Sequence, residues 1–99
     1  MSKLFVLTRN DLPMNYQAVQ AGHAIAQWML DNKNQDWNNQ TLVYLNVPNE
    51  EHLKYWCTKL DYKGISYTSF HEPDIGNQMT SIACHKNDKL FSKLKLMGS

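Results

Sequence analysis

Residues 4–30 read LFVLTRNDLPMNYQAVQAGHAIAQWML, and this stretch decides the fold. Its first four residues, Leu4–Leu7, form a continuous apolar run, which is typical of a strand buried on both faces. The turn Arg9–Pro13 is polar and contains a proline, so it ends the strand. Apolar residues then recur at helical spacing over Tyr16–Leu30, and Asn15 stands where an N-cap would be. The stretch therefore predicts a buried strand followed by an amphipathic helix.

The rest of the chain continues with further strands and helices. Strands are expected where β-favouring or alternating residues occur, at Thr41–Val47, Ile65–Phe70 and Met79–Cys84. Helices are expected after Asn49 and after Asn87, because both residues can act as N-caps. The apolar residues that would face inward from these two helices are Leu53, Trp56, Cys57, Leu60, Leu90, Phe91 and Leu94. The order β-α-β-α-β-β-α predicts an α/β fold, with a four-stranded mixed β-sheet flanked by helices.

The composition fits one small domain spanning residues 1–99. With 99 residues and 42% hydrophobic side chains, the chain can bury one core but is too short for two. Ten Lys and Arg against nine Asp and Glu give a formal charge of +1, which argues against a strongly basic nucleic-acid module. Residues 51–99 hold seven lysines and five acids, so any cationic surface is expected there. Arg9 is the only arginine, so a guanidinium grip on phosphate is available at one place.

The cysteines and the hydropathy pattern favour a cytoplasmic protein. Cys57 and Cys84 lie far apart in different predicted elements, and we expect buried free thiols rather than a disulfide. The apolar run Leu4–Leu7 is too short for a secretion signal, and polar residues follow it at once. No apolar run approaches the length of a membrane span, so no membrane partner is expected.

Four polar residues of the first helix share one face. Tyr16, Gln20, His23 and Gln27 are spaced by four, three and four residues. This stripe is either an ordinary solvent-exposed face or a binding face, in which Tyr16 would lie near the helix N-terminus that favours anions such as phosphate. The apolar residues expected to face the sheet on the opposite side are Ala18, Ala21, Ile25, Trp28 and Met29.

A second polar cluster is the loop His71–Asn77 together with the residues up to Thr80. It contains two carboxylates, Glu72 and Asp74, and the amide of Asn77. Loops that follow strand ends often carry function, although a polar surface turn has the same composition. No diagnostic metal-ligand spacing, nucleophile motif or phosphate-binding glycine motif occurs, so neither a metal nor a cofactor is expected.

Four segments are similar, in order, to the motifs of one known family. They are the turn Leu7–Met14, the helix segment Ala18–Ala24, the strand and turn Val43–Glu51 and the tail Lys93–Met97. The corresponding family motifs are Arg-Thr-Asp-Leu-Lys-Met, Ala-Ala-Gln-Cys-Ser-His-Ala, Val-Pro-(Asp/Asn)-Glu and Leu-Lys-Leu-Leu. Nearly end to end, the chain resembles the archaeal and eukaryotic-type peptidyl-tRNA hydrolases, the PTH2 family.

The resemblance implies a PTH2-like fold whose site faces the acceptor end of tRNA and cleaves the ester joining a peptide to tRNA. Gln20 and His23 match the family's helix motif directly, and Thr80 matches the threonine that opens its last strand. Tyr16, however, aligns with a lysine of the family's Gly-Lys-Gly-Lys turn, and Glu72–Asn77 replaces its Asp-Ala-Gly-Arg-Thr-Gln loop. A lysine would supply positive charge to a developing oxyanion, whereas tyrosine carries none.

The first functional hypothesis is therefore a divergent peptidyl-tRNA hydrolase. In this hypothesis an acid, either Glu72 or Asp74, replaces the acid of the family's loop. The residues expected to activate water or position the ester are His23, Asp74, Glu72 and Thr80. The residues expected to bind tRNA are Arg9, Asp11, Tyr16, Gln20, Gln27 and Asn77.

Two other functions stay open at this point. In one, the same groove binds a small nucleotide or an RNA end, or hydrolyses such a nucleotide with His23 as acid or base, without cleaving peptidyl-tRNA. Sequestration of a signalling nucleotide by a viral protein in the host cytoplasm would be one case. In the other, the chain is a scaffold that assembles with itself or with a partner through aromatic residues, and the family resemblance makes a homodimer plausible.

Overall fold

The computed structural model describes residues 3–33, 41–86 and 90–98, apart from the side chain of Lys86. Two helices and five strands follow one another in this part of the chain. In chain order they are β1 (Lys3–Arg9), α1 (Met14–Asp31), β2 (Leu42–Val47), α2 (Glu50–Tyr62), β3 (Thr68–Glu72), β4 (Gln78–Lys86) and β5 (Lys95–Leu96), with a 3-10 turn at Pro73–Ile75 between β3 and β4.

The strands form one mixed sheet in the order β3-β4-β1-β2-β5. The central pair, β1 and β2, is parallel, and every other pair is antiparallel. Helix α1 connects β1 to β2 and packs on one face of the sheet, which we call the α1 face. Helix α2 packs on the opposite face, the α2 face. The predicted α/β fold with a mixed sheet is confirmed, but the sheet has five strands and not four.

The extra strand replaces the predicted last helix. Residues 90–94 form turns, and the chain then pairs as β5 with the edge of β2, where Leu96 lies opposite Leu45. Pairing satisfies backbone groups of β2 that would otherwise form an open edge, which explains why a strand forms here. Phe91 still faces inward as predicted and is buried. The predicted cap Asn87 lies outside the described residues.

The two helices begin in different ways. Asn49 caps α2 as predicted, because its side chain accepts a hydrogen bond from the backbone N–H of His52 at 3.1 Å. Helix α1 begins at Met14, so the prediction that Asn15 caps it is wrong. Its N-cap position is occupied by Pro13, which makes no side-chain cap and whose fixed φ suits the entry to a helix. Neither helix, within the described residues, is long and apolar enough to cross a membrane.

Strand β3 is shifted relative to the sequence prediction. It was expected at Ile65–Phe70, whereas the structure places it at Thr68–Glu72. The predicted loop is correspondingly shorter, since Glu72 pairs with Gln78 as part of the β3–β4 ladder. This pairing buries Glu72 instead of leaving it in a surface loop.

The larger core lies between α2 and the sheet. The four predicted residues of α2 are all buried there, namely Leu53, Trp56, Cys57 and Leu60. They pack with residues of three strands, among them Leu7, Val47 and Ile82. Cys57 and Cys84 are both buried and neither forms a disulfide, which confirms the expectation of buried thiols.

The smaller core, under α1, occupies only one half of that helix. Towards its C-terminal end, Ala21, Ala24 and Trp28 pack on apolar residues of β1 and β4. Towards its N-terminal end the buried residues are polar, Gln17 and Gln20. The predicted inward stripe is therefore only partly correct, because Ala18 and Met29 are exposed while Gln20 faces the sheet. A polar layer thus lies beneath the first turns of α1.

The two asparagines at the helix starts allow a direct test of these boundaries. Asn49→Ala removes a cap and is expected to lower the free energy of unfolding by about 0.5–2 kcal/mol. Asn15→Ala removes an exposed residue of a helix turn and is expected to change stability by less than about 0.5 kcal/mol. Urea unfolding of both variants measures the difference. Equal losses would contradict the start of α1 at Met14.

Candidate active site

Strands β3 and β4 pair with one extra residue on β4. Phe70 pairs with Ser81, but the next residue of β3, His71, pairs with Met79, so Thr80 is the extra residue of a β-bulge. Because side chains alternate between the two faces of a sheet, an extra residue shifts the alternation by one. Met79 therefore packs in the α2 core, with its sulfur 3.7 Å from that of Cys57. Thr80 instead presents its hydroxyl to α1.

A buried amide joins this bulge to β3. The Thr80 hydroxyl donates to the Oε1 atom of Gln20 at 2.7 Å, and the Nε2 atom of Gln20 donates to a carboxylate oxygen of Glu72 at 2.8 Å. Gln20 and Thr80 are both fully buried. The two hydrogen bonds fix which end of the Gln20 amide faces which partner. A helix, a strand and a bulge are thereby locked together at one point.

The carboxylate of Glu72, at the end of this series of hydrogen bonds, is held in its ionised form. The hydrogen bond from Gln20 lowers the pKa of Glu72, and its burial opposes that effect without overcoming it. Further stabilisation comes from the backbone N–H of Asp74, which lies 3.3 Å from the second carboxylate oxygen, and from the nearby His23 and Tyr16 side chains. Glu72 is therefore an anion at neutral pH and accepts hydrogen bonds from several directions.

Tyr16 lies beside this carboxylate as a neutral phenol. Burial raises the pKa of Tyr16, and the negative charges of Glu72 and Asp74 raise it further. The hydrogen-bonding influence of Glu72 also raises the pKa of Tyr16, so the phenol stays neutral and can act as a donor. The position expected to align with a family lysine thus carries an uncharged donor.

His23 lies on the solvent-exposed side of Gln20 and Glu72. Its side chain is exposed and stacks on Phe70, with ring centroids 4.6 Å apart and the ring planes 14° from parallel. Phe70 and Glu72 are two residues apart on β3, so their side chains share the α1 face. The stack therefore holds the imidazole above the sheet close to Glu72, whose carboxylate it influences electrostatically.

Arg9 does not join this cluster. Its guanidinium forms two hydrogen bonds to Asp11, at 2.7 and 2.9 Å, and two more to the Gln78 side chain and the Met79 backbone carbonyl. The side chain is only 10% exposed, and the hydrogen bond to Asp11 raises the pKa of Arg9. Arg9 and Asp11, which were both expected to contact tRNA, are therefore already paired with each other.

The other predicted site residues lie at the rim or farther away. Asp74 is exposed in the 3-10 turn beside Glu72. Asn77 is also exposed, has a positive φ of 61°, and donates its backbone N–H to the carbonyl of Glu72. Gln27 hydrogen-bonds to Asp31 in the last turn of α1, so the structure does not bring it to the cluster.

A second polar network, partly buried, supports the same half of α1, and no sequence motif indicates it. The Asn46 amide nitrogen donates to the Gln17 side chain at 2.9 Å and to the backbone carbonyl of Thr8 at 3.0 Å. The Thr8 hydroxyl lies 2.9 Å from that of Ser81. Among the described residues, no buried side-chain nitrogen or oxygen lacks a partner. Phe70 was also missed, since recognising its face requires the observed register of β3.

Gln20→Leu tests the buried amide. Leucine leaves the buried Thr80 hydroxyl without its acceptor, so we expect a loss of about 1–3 kcal/mol in the free energy of unfolding. Gln27→Leu, on the same helix, is the matched control and should stay within about 0.5 kcal/mol of the wild type. Chemical denaturation of the three proteins provides the comparison. A loss no larger than that of the control would contradict the Thr80–Gln20–Glu72 chain.

The lowered pKa of Glu72 predicts a pH dependence. A carboxylate whose folded pKa lies below its unfolded value stabilises the fold above that value, near 4.5, and this stabilisation is lost as the pH falls through the folded pKa. The stability difference between wild type and Glu72→Gln should therefore be largest near neutral pH and shrink below about pH 4.5. Thermal unfolding across pH measures it, with Glu51→Gln as the control for losing one carboxylate. A difference independent of pH would refute it.

Comparison with known proteins identifies the family. The sequence model of the family described as Peptidyl-tRNA hydrolase PTH2 matches residues 2–97. No curated protein matches the chain. A solved structure of a protein of unknown function from Agrobacterium tumefaciens is 14% identical, covers 96% of both chains and superposes with a TM-score of 0.72, which shows a shared fold. Because the family match spans nearly the whole chain, this protein belongs to the peptidyl-tRNA hydrolase PTH2 family.

Proposed function

We propose that this protein hydrolyses the ester bond between a peptide and tRNA. The observation that carries the proposal is the hydrogen-bonded chain Thr80–Gln20–Glu72 lying beside the exposed His23, in a member of the PTH2 family. Such an arrangement offers a solvent-accessible base next to a fixed negative charge. Since tRNA is the substrate, we also propose that the protein acts in the cytoplasm.

In the proposed reaction, His23 is the general base. The imidazole takes a proton from a water molecule while the water oxygen attacks the ester carbonyl carbon. The carboxylate of Glu72 stabilises the resulting imidazolium, as an acidic partner does in other hydrolases. When the tetrahedral intermediate collapses, the bond to the ribose oxygen breaks and the imidazolium returns its proton to that oxygen. The products are a free peptide acid and tRNA with a free hydroxyl.

The buried residues have a positioning role in this scheme. Thr80 was expected to position the ester and Gln20 to bind tRNA, but both side chains are fully buried and hydrogen-bonded to each other. We therefore assign them the task of orienting Glu72. Tyr16, a neutral donor at the start of α1, is the group we assign to the developing oxyanion. Asp74 and Asn77 at the rim remain proposed contacts to the ribose or the peptide.

Peptide release from an N-acetylated aminoacyl-tRNA tests the proposal. The wild type should release the acylated amino acid, and His23→Ala should lower kcat/KM by about 100-fold or more, as expected for loss of a general base. His52→Ala is the matched control, because His52 is an exposed histidine on α2, across the sheet from His23. Its rate should equal that of the wild type. No turnover above His23→Ala would overturn the proposal.

One observation favours a second candidate, nucleotide binding without tRNA cleavage. Within residues 3–33, 41–86 and 90–98, no lysine or arginine is paired with Glu72, and Arg9 is occupied by Asp11. The site therefore offers stacking surfaces and neutral donors but no fixed cation for an oxyanion. Thermal-shift measurements with a panel of nucleotides test this candidate. A rise in melting temperature that His23→Ala abolishes would support it, and no shift with any nucleotide would contradict it.

A further inference from the structure

A separate cleft lies at the same end of the sheet as Glu72, close to the carboxyl ends of β1 and β2 and beside β5. Its volume is about 300 Å³, and its walls are Asn10, Asn46, Val47 and Pro48 at the ends of β1 and β2, together with the segment Lys93–Lys95. The carboxyl ends of parallel strands are the usual place for ligands in open α/β sheets. None of these residues belongs to the cluster around Glu72, which consists of Tyr16, Gln20, His23, Glu72 and Thr80.

The cleft is the cationic part of this edge. Lys93 and Lys95 are both exposed at its wall, and neither forms an ion pair with any described residue. The nearby acids have other partners, since Asp11 binds Arg9 and Glu50 accepts a hydrogen bond from the backbone N–H of Met79 at 2.8 Å. Two ammonium groups that have no ion-pair partner in the described part of the chain line the same cleft as the exposed Asn10 and provide donors suited to an anion.

Hydrogen bonds hold the cleft in place. Asn46 pairs with Lys95 in the β2–β5 ladder, which fixes the position of that lysine along the edge. The Asn46 side chain donates to Gln17 of α1 and accepts from the backbone N–H of Gly98 at 3.2 Å. The same asparagine thus ties the floor of the cleft to the helix that carries Gln20 and His23.

The separation of the two sites suits a nucleic-acid strand. Lys95 on β5 and Thr80 on β4 are three strands apart in the order β4-β1-β2-β5. At about 4.8 Å per strand this is about 14 Å along one edge, a length that a few nucleotides of single strand span. An ester at His23 and a backbone phosphate at Lys95 can therefore belong to one bound molecule.

We propose that the cleft between Asn10 and Lys93–Lys95 binds the phosphate backbone of tRNA close to its 3′ end. The inference rests on the proposed function, because the ester must lie at His23 for the tRNA strand to reach the cleft. It also explains how a chain with Tyr16 in place of the family's lysine can hold a polyanion. The positive charge that is lacking beside the ester is supplied at the other end of the same edge.

Salt-dependent binding of deacylated tRNA tests the cleft without requiring catalysis. Fluorescence anisotropy of end-labelled tRNA would be measured between about 50 and 200 mM salt. The slope of log K against log salt is negative. In the double variant Lys93→Gln/Lys95→Gln it should become shallower by about 0.7–0.9 for each lysine, with weaker binding at every salt concentration. The control is Lys33→Gln/Lys63→Gln, which removes the same charge from exposed lysines at the C-terminal ends of α1 and α2. Its slope should match the wild type.

The outcomes separate this inference from the proposed function. A smaller slope in the cleft variant alone supports the cleft, whether or not the protein releases peptide. If peptide release occurs but the cleft variant keeps the wild-type slope, the cleft proposal is wrong and the proposed function stands. Equal effects of the two double variants, or no binding of tRNA by the wild type, would also overturn it. Circular dichroism of both variants confirms that each is folded.

Discussion

The structure around the site depends on one buried amide. Gln20 must satisfy both its donor and its acceptor because it has no contact with water, and it does so with Glu72 and Thr80. An amide has a donor end and an acceptor end, so this requirement admits a carboxylate on one side and a hydroxyl donor on the other. The bulge at Thr80 supplies that hydroxyl on the correct face, and the extended β3 supplies the carboxylate.

Features that depend on neighbouring residues could be predicted from the sequence. The stripe of α2 and its Asn49 cap follow from helical spacing and a local hydrogen bond, and the structure has both. The alternation of strand and helix through β2 likewise follows from local hydrophobic patterns. Gln20 and His23 were selected as site residues because they share a helix face and match a family motif. In each case the deciding information lies within a few residues along the chain.

Features that depend on long-range pairing could not be predicted in this way. Helical spacing shows that Tyr16, Gln20 and His23 share a face, but not that Gln20 faces the sheet while His23 stays exposed. The bulge exists only in the register between β3 and β4, where the flanking pairs are 11 and 8 residues apart in sequence, and it decides the orientation of Thr80. Arg9 was expected to be available for phosphate, yet its guanidinium also donates to Gln78 and to the Met79 backbone carbonyl on β4, contacts that only the folded sheet creates. β5 forms because it pairs with the otherwise open edge of β2.

The distribution of charge along the edge gives these features a common physical reason. A carboxylate next to a polyanion is repulsive, and the fold keeps Glu72 ionised through hydrogen bonds that need no neighbouring lysine or arginine. The ester carbonyl that must lie beside it is neutral in the bound substrate, so the repulsion before the reaction comes from the phosphates that follow. Phosphates bound at Lys95 would lie four strand spacings from Glu72, about 19 Å, which is beyond the Debye length of about 8 Å at physiological ionic strength. Separating Glu72 on β3 from Lys95 on β5 by four strand spacings allows one end of the sheet to hold both parts of such a substrate.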